Sequence, residues 1–278
     1  MGSIEFTALI FVGSLLAGFL GALTGLGGGV VVVPMLALAF HVDFHYAIGA
    51  ALVSVIATSS GAAAAYVREG YSNVRVGMFL EMATTAGALA GAALVLYLHT
   101  SVVAVIFGVV LIYSALASFH KGSYSKLDQG PDRIASWLRM DSTYPTSSGF
   151  ESYHVRGVPM GFLLMFVAGV LSGLLGIGSG AVKVLAMDKA MKLPFKVSTT
   201  TSNFMIGVTA AAGAGIYLSR GYIDPELAMP VMLGVLAGSF AGARVLAGAR
   251  VRVLRIVFAV VIGALAIEMI YSGLTGRI

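Results

Sequence analysis

Two glycine-rich turns lie 151 residues apart and repeat one pattern, LTGLGGGVVVVP from Leu23 and LLGIGSGAVKVL from Leu174. Glycine costs a helix about 1 kcal/mol per position relative to alanine, so we expect a helix to break at each turn. A second helix is predicted to begin near Val30 and near Ala181. The free N–H groups and positive dipole end of a helix start favour an anion. The pattern therefore predicts anion ligands at both turns, although the glycines could equally serve close helix packing.

The candidate substrate ligands are backbone N–H groups at the turns and nearby hydroxyl and amide side chains. In the first half they are Thr24, Gly25, Gly27, Gly28 and Gly29, with Thr58 and Ser59 of the following apolar segment. In the second half they are Gly176, Gly178, Ser179 and Gly180, with the run Thr200, Thr201, Ser202 and Asn203. Such groups donate to an oxyanion while staying neutral. They also join membrane helices through hydrogen bonds, and the sequence leaves both roles open.

Two ionisable residues within apolar segments, Lys183 and Glu81, are candidates for a role in transport. Lys183 follows Gly180 by three positions, where the first half has Val32. A lysine inside the membrane is costly and usually functional, and here it would add positive charge for an anion. Alternatively, it reaches the membrane surface or pairs with Asp188. Glu81 is a candidate carrier of a coupling proton, unless it pairs with basic groups on the cytoplasmic side.

Other chemistries are disfavoured by the residues present. The chain has no cysteine, which excludes disulfides and thiolate catalysis. His41 and His45 are four positions apart, but in a loop with one aspartate between them, so no metal site is predicted. Ser179 could be a nucleophile, yet all five histidines fall in loops or at segment ends, so no enzyme is predicted. No strand precedes the glycine turns, so no dinucleotide or other cofactor is expected.

The elements that must position these residues are long apolar segments. The chain is 58% hydrophobic and 10% charged, whereas a soluble domain carries about 25% charged residues. Each half predicts one interrupted apolar segment and three full spans, the latter long enough to cross a lipid bilayer. The segments are 6–40 (interrupted), 47–67, 76–98 and 101–119, then 158–191 (interrupted), 197–218, 226–247 and 253–272. The predicted class is an all-α polytopic membrane protein.

The duplication extends well beyond the two turns. Without a gap, Thr58 matches Thr209 and Tyr66 matches Tyr217. We therefore divide the chain into a first membrane repeat (1–120), a linker (121–156) and a second membrane repeat (157–278). Internal duplication is typical of secondary transporters, whose substrate sites form where the repeats meet.

The positive charges favour one of two topologies. If each interrupted segment crosses the membrane, each repeat has four spans, and Lys and Arg fall on both faces. If each segment turns at its tip and leaves on the side it entered, the second repeat is inverted. Fourteen Lys and Arg residues then lie on one face and only Arg220 and Arg277 on the other, as the positive-inside rule expects. This distribution predicts inverted repeats, each with a re-entrant hairpin and three transmembrane helices, a cytoplasmic linker, and both termini outside the cytoplasm.

Two further expectations follow from this topology. Irregular backbone at membrane depth must be buried in protein or line a wet cavity, so the two tips are predicted to meet near the midplane. The net charge of +5 is attributed to cytoplasmic loops rather than to nucleic-acid binding. Within the linker, PDRIASWLRM predicts either a short interfacial helix or an ordinary loop.

The motifs together resemble a known family. The paired glycine hairpins, Pro34 after the first tip, the TTTSN-F stretch and the turns Arg68–Tyr71 and Arg220–Tyr222 are similar to the TauE/SafE family, also called the sulfite exporter or 4-toluene sulfonate uptake permease family. The resemblance implies transport of sulfite, sulfonates or related small anions. The chain departs from the family pattern at Ser179, Lys183 and Leu185.

The predicted function is a secondary transporter for a small anion, a sulfonate, sulfite or related sulfur-containing anion. It would sit in the cell membrane and work by alternating access, with its site between the two tips. A proton is the expected coupling ion. The alternative is a passive anion channel with the same architecture.

Overall fold

A computed structural model describes residues 3–24, 28–68, 70–117, 132–146, 149–246 and 251–277. The first half contains α1 (Ser3–Thr24), α2 (Gly29–Pro34) continued by a π-helical turn (Met35–Ala39), α3 (Phe44–Arg68), α4 (Val74–Leu94) and α5 (Thr100–Ala117). The linker contains α6 (Arg133–Trp137) and two strands, β1 (Ser142–Thr146) and β2 (Gly149–Tyr153). The second half contains α7 (Val158–Leu175), α8 (Gly180–Leu185) continued by a π-helical turn (Ala186–Ala190), α9 (Phe195–Ser219), α10 (Pro225–Leu246) and α11 (Val251–Thr275). The fold is helical, as predicted.

The helices have the length and surface of membrane segments. Among the described residues, three helical stretches are apolar and long enough to cross a bilayer, Val74–Tyr97, Val158–Leu175 and Pro225–Gly242. Large apolar side chains such as Met78, Val109 and Val260 are more than half exposed on the outer helix faces. Such a surface suits lipid, which confirms the prediction of a membrane protein.

Helix packing uses glycines at which two backbones meet. A Cβ built on Gly173 of α7 would lie 2.0 Å from the carbonyl oxygen of Ala88 of α4. In the equivalent pair of helices, a Cβ on Gly238 of α10 would lie 2.0 Å from the carbonyl oxygen of Leu15 of α1. Only glycine permits this approach, which is the small-residue packing typical of membrane helices.

The same contacts give the relative directions of the helices. Gly87 and Gly91 of α4 face Phe166 and Val170 of α7, so residue numbers rise together and these two helices run the same way. The equivalent pair, α1 and α10, also runs the same way, because Gly234 faces Phe11 while Gly238 faces Leu15.

Two further pairs join a helix to its own counterpart in the other half, α3 with α9 and α5 with α11. The two helices of each pair run in opposite directions. In α3 and α9, Gly49 lies against Tyr222 just past the end of α9, whereas Ser59 lies against Gly207. In α5 and α11, Gly108 faces Ile270 and Gly273 faces Ser101. The α4–α7 contact therefore has its equivalent in the α1–α10 contact, and all four pairs join one half of the chain to the other.

The described part of the linker contains regular secondary structure. Of the two alternatives for PDRIASWLRM, the structure has a short helix, α6, and the Asp132 carboxylate accepts a hydrogen bond from the Ile134 N–H at its start (2.9 Å). Antiparallel strands β1 and β2 follow, which the sequence analysis did not predict. Asn73, before α4, holds this region by donating from Nδ2 to the Met140 carbonyl and the Tyr153 hydroxyl, both at 2.8 Å.

Candidate functional site

The second glycine turn breaks the helix in the way its sequence predicts. α7 ends at Gly176 with φ +69°, and the Gly176 N–H still donates to the Ser172 carbonyl (2.9 Å). Gly178 has φ +70°, and Ser179 also adopts a left-handed conformation, with φ +44°. Three positive φ values within four residues turn the chain, and α8 then begins at Gly180.

The two turns contact each other. A Cβ built on Gly29, at the start of α2, would lie 3.1 Å from the Gly176 carbonyl oxygen. Gly178 lies between Val55 of α3 and Ile206 of α9. The helix starts α2 and α8 thus lie together at the crossing of α3 and α9. Gly25 and Gly27 lie outside the described residues, as does the side chain of Thr24.

Polar side chains hold the second turn in place. The buried Ser179 hydroxyl donates to the Ala168 carbonyl of α7 (2.6 Å). The Ser202 hydroxyl of α9 donates to the Gly180 carbonyl (3.4 Å). These bonds offset the left-handed conformation of Ser179, which is unfavourable for a residue with a side chain. In the described conformation both hydroxyl protons are used on the protein backbone.

The other Thr and Ser residues predicted as substrate ligands lie in two different parts of the structure. Thr58 and Ser59 of α3 lie near the tips and bond carbonyls of their own helix. Thr200 and Thr201 of α9 instead hold the connection between α3 and α4. The Thr200 hydroxyl donates to the Tyr71 carbonyl, and the Thr201 hydroxyl accepts from the Asn73 N–H, both at 3.0 Å. Asn203 lies half-buried on the same helix.

Lys183 and Glu81 are joined through a threonine that the sequence analysis did not select as a site residue. The Lys183 ammonium donates to the Thr209 hydroxyl of α9 (2.5 Å), and this hydroxyl donates to Glu81 Oε1 of α4 (2.7 Å). Lys183 and Thr209 are fully buried, and Glu81 is 8% exposed. Three elements from both repeats therefore converge on one polar cluster, which we call the Lys183–Thr209–Glu81 cluster.

Neither alternative partner proposed for these two residues is used. Asp188 pairs with Lys189 (3.7 Å), and Lys183 is fully buried rather than reaching the membrane surface. Arg75, the basic residue nearest to Glu81 along α4, donates to the Arg139 carbonyl of the linker (3.0 Å).

The two oxygens of the Glu81 carboxyl differ. Oε1 accepts from Thr209 and from the Thr85 hydroxyl (3.2 Å). Oε2 is buried and has no hydrogen-bond partner among the described residues. A buried polar atom without a partner is unfavourable, and in native proteins it often marks a functional position.

The cluster has no counterpart at the positions related by the duplication. The positions equivalent to Lys183, Thr209 and Glu81 are Val32, Thr58 and Met232. Thr58 bonds the Ser54 carbonyl of its own helix (3.0 Å). The duplication would have identified Thr209 as a repeated threonine, but not its partners, because those depend on how the helices pack.

An apolar cavity of about 560 Å³ opens beside α8. It is lined by Val109, Val110 and Tyr113 of α5, Leu164 and Leu171 of α7, Val182 and Leu185 of α8, and Ala186, Lys189 and Ala190 of the π-helical turn. Val110 and Val182 also line a small gap of about 10 Å³ at Ser179 and Gly180, so the cavity approaches the second turn.

Comparison with known proteins identifies the family. Residues 10–269 match the family described as Sulfite exporter TauE/SafE. The chain belongs to the TauE/SafE family. The TauE/SafE match covers both repeats and both glycine turns, as the resemblance of the motifs predicted.

Relatives of this TauE/SafE chain are named as transporters. "Probable membrane transporter protein YunE" of Bacillus subtilis (strain 168) is 26% identical over 277 residues, covering 97% of this chain and 99% of that protein. "Probable membrane transporter protein YdhB" of the same organism is 27% identical over 237 residues, covering 85% and 87%. "Probable membrane transporter protein ORF9" of a Sinorhizobium species is 23% identical and covers 95% and 92%. No solved structure matches the chain. The chain is a membrane transporter.

Proposed function

We propose that this transporter is a secondary carrier for a small anion, a sulfonate, sulfite or related sulfur-containing anion, bound between the two glycine turns. The observation that carries the proposal is the contact between Gly29 and the Gly176 carbonyl, which brings the starts of α2 and α8 together. Converging helix starts offer N–H groups and positive dipole ends to an anion in a dry interior. The family name supports the sulfur-containing class of substrate.

Alternating access requires two related halves, and we propose that the repeats are inverted. The helix directions support this arrangement. α4 runs with α7, and α1 runs with α10, whereas α3 and α9 run in opposite directions, as do α5 and α11. If α1 and α3 both lead toward one face, α2 must return between them as the second arm of a hairpin. The same reasoning applies to α8 between α7 and α9.

The remaining site residues are proposed as a shell around the turns. Thr58 and Ser59 approach from α3, and Ser179, Gly180 and Ser202 form the wall of the second turn. Thr200 and Thr201 are bound to the backbone before α4, so we give them a positioning role. Lys183 contributes positive charge from one side.

The test is transport by the purified protein in proteoliposomes. We expect the melting temperature to rise with at least one of sulfite, sulfate, thiosulfate, taurine and sulfoacetate. That anion should accumulate above equilibrium when a gradient drives it, whereas a passive channel would only equilibrate it.

Gly178→Val should abolish uptake, because Gly178 has a positive φ and a Cβ there would lie 2.9 Å from the Ile206 side chain. Gly215→Val is the control, since a Cβ at Gly215 meets nothing within 4 Å. Normal uptake by Gly178→Val protein would contradict a site at the turns.

A further inference from the structure

The Lys183–Thr209–Glu81 cluster is balanced in charge when it is empty. The Lys183 ammonium and the Glu81 carboxylate sum to zero, and the Thr209 hydroxyl links them at 2.5 and 2.7 Å. Removing single charges from water is strongly unfavourable, and a hydrogen-bonded pair of opposite charges offsets part of this penalty. In this state the main electrostatic interaction of the Lys183 ammonium is with the Glu81 carboxylate.

An anion at the turns disturbs this balance. Lys183 is three residues from Gly180, whose neighbours form the second turn. A monoanion bound there brings the buried group to a net charge of minus one. One proton on Glu81 restores neutrality and leaves the Lys183 charge free to attract the anion. Glu81 Oε2 is the oxygen that can accept the proton, because Oε1 already accepts from Thr209 and Thr85.

We infer that Glu81 binds one proton whenever an anion occupies the site beside Lys183, so that each transport cycle carries one proton with the anion. This inference rests on the anion transport proposed above. Binding moves a proton from water on one side onto Glu81 Oε2, and release of the anion on the other side returns that proton to water. Thr209 is a positioning residue, since its hydroxyl bonds both the Lys183 ammonium and Glu81 Oε1.

Within the described residues, few other ionisable groups surround Glu81. α7, which packs on α4, has none in its sequence. On α9, the Lys196 ammonium lies 3.8 Å from the ring centre of Tyr71, and the Tyr217 hydroxyl donates to the Gly173 carbonyl (3.2 Å). On α4 itself, Arg75 bonds the linker, and after α8, Asp188 pairs with Lys189. Lys183 is therefore the charged group that the Glu81 carboxyl meets through the cluster.

The experiment uses anions that stay ionised, so that they cannot carry the proton themselves. Proteoliposomes of the full chain receive an inward gradient of methanesulfonate, sulfoacetate, sulfate or thiosulfate, and a trapped dye reports internal pH. We expect uptake to acidify the interior. Anion affinity should rise as pH falls, by at most tenfold per pH unit for one linked proton. Wild-type uptake without acidification, or an affinity independent of pH, would overturn the inference.

Variants of the cluster test whether Glu81 is the residue that carries the proton. Glu81→Gln should reduce the acidification per anion transported at least tenfold, because a neutral amide cannot accept the proton that balances the anion. Thr209→Val should lower the pH dependence, and Thr209→Ser should restore it. The controls are Glu268→Gln, at an exposed acid of α11, and Thr199→Val, at a hydroxyl near the start of α9 that bonds the Phe195 carbonyl, and both should acidify normally. Normal acidification by Glu81→Gln protein would disprove the role of Glu81.

The two proposals fail in different ways. If neither these four anions nor sulfite nor taurine moves, the proposed transport is wrong, and the proton inference falls with it. If an anion moves without a proton, the carrier stands and the inference alone fails. Because the pH dependence of anion affinity is measured on the wild-type protein, the inference remains testable even if Glu81→Gln does not fold.

Discussion

At the scale of residues, Lys183 shows how burial decides the role of a charge. The sequence placed it beside a glycine turn as a direct anion ligand, and the structure joins its ammonium to Glu81 through Thr209. In the proposed mechanism, the attraction of Lys183 for an anion at the turns depends on whether Glu81 carries a proton. A role as an anion ligand and a role as the charge partner of Glu81 predict different results. The two are separated by comparing removal of the Lys183 charge alone with removal of both the Lys183 and Glu81 charges.

Lys183→Met should weaken anion binding ten- to a hundredfold, equivalent to about 1.5–3 kcal/mol for a charge-assisted hydrogen bond. It should also lower the melting temperature, because a buried carboxylate without its partner costs about 3–5 kcal/mol. The double variant with Glu81→Gln should recover the melting temperature but not the affinity. Thermal unfolding and anion titration in detergent measure both effects. Lys189→Met, which removes a surface lysine paired with Asp188, serves as control. A double variant no more stable than Lys183→Met alone would contradict the coupling.

At the scale of elements, the helix pairs α4–α7 and α1–α10 are joined backbone to backbone. Gly173→Ala should destabilise the protein by about 1–3 kcal/mol, because its Cβ would lie 2.0 Å from the Ala88 carbonyl oxygen and the helices would have to separate. Gly215→Ala, also in a helix but in open space, should be neutral or stabilising by up to about 1 kcal/mol. Thermal unfolding of both variants provides the comparison. Equal effects would mean that the α4–α7 contact is loose.

Some features of the helices could be predicted from the sequence, and others could not. The span predicted at 197–218 is α9, Phe195–Ser219, because a long apolar run fixes a membrane helix. The break at Gly176 was predictable because glycine accepts the left-handed conformation. The meeting of Glu81 and Thr209 was not, because these residues are 128 positions apart and only helix packing joins them. The hairpin β1–β2 was missed because its Ser, Thr and Gly content is typical of loops.

At the scale of the whole molecule, the proposed inverted repeats place the linker and the C-terminus on opposite sides of the membrane. The chain has no cysteine, so single cysteines can be introduced without removing any others. Thr143→Cys in β1 and Thr275→Cys at the end of α11 should react with an impermeant maleimide from opposite faces. We expect Thr275→Cys to label in intact cells and Thr143→Cys only in inverted vesicles. Labelling of both from one face would exclude the arrangement.

The single charged cluster has a consequence for kinetics. Two structurally equivalent halves would give the outward-open and inward-open states similar energies, and an anion would meet similar sites from either side. Because Val32 and Met232 stand at the positions that the duplication relates to Lys183 and Glu81, the two approaches differ in local field. Thermodynamics fixes only the ratio of forward to reverse flux, so this asymmetry cannot choose the direction of net flow. It can give the carrier a low half-saturation concentration on one face and a high one on the other, which suits a protein that collects a scarce anion on one side and releases it into a richer pool.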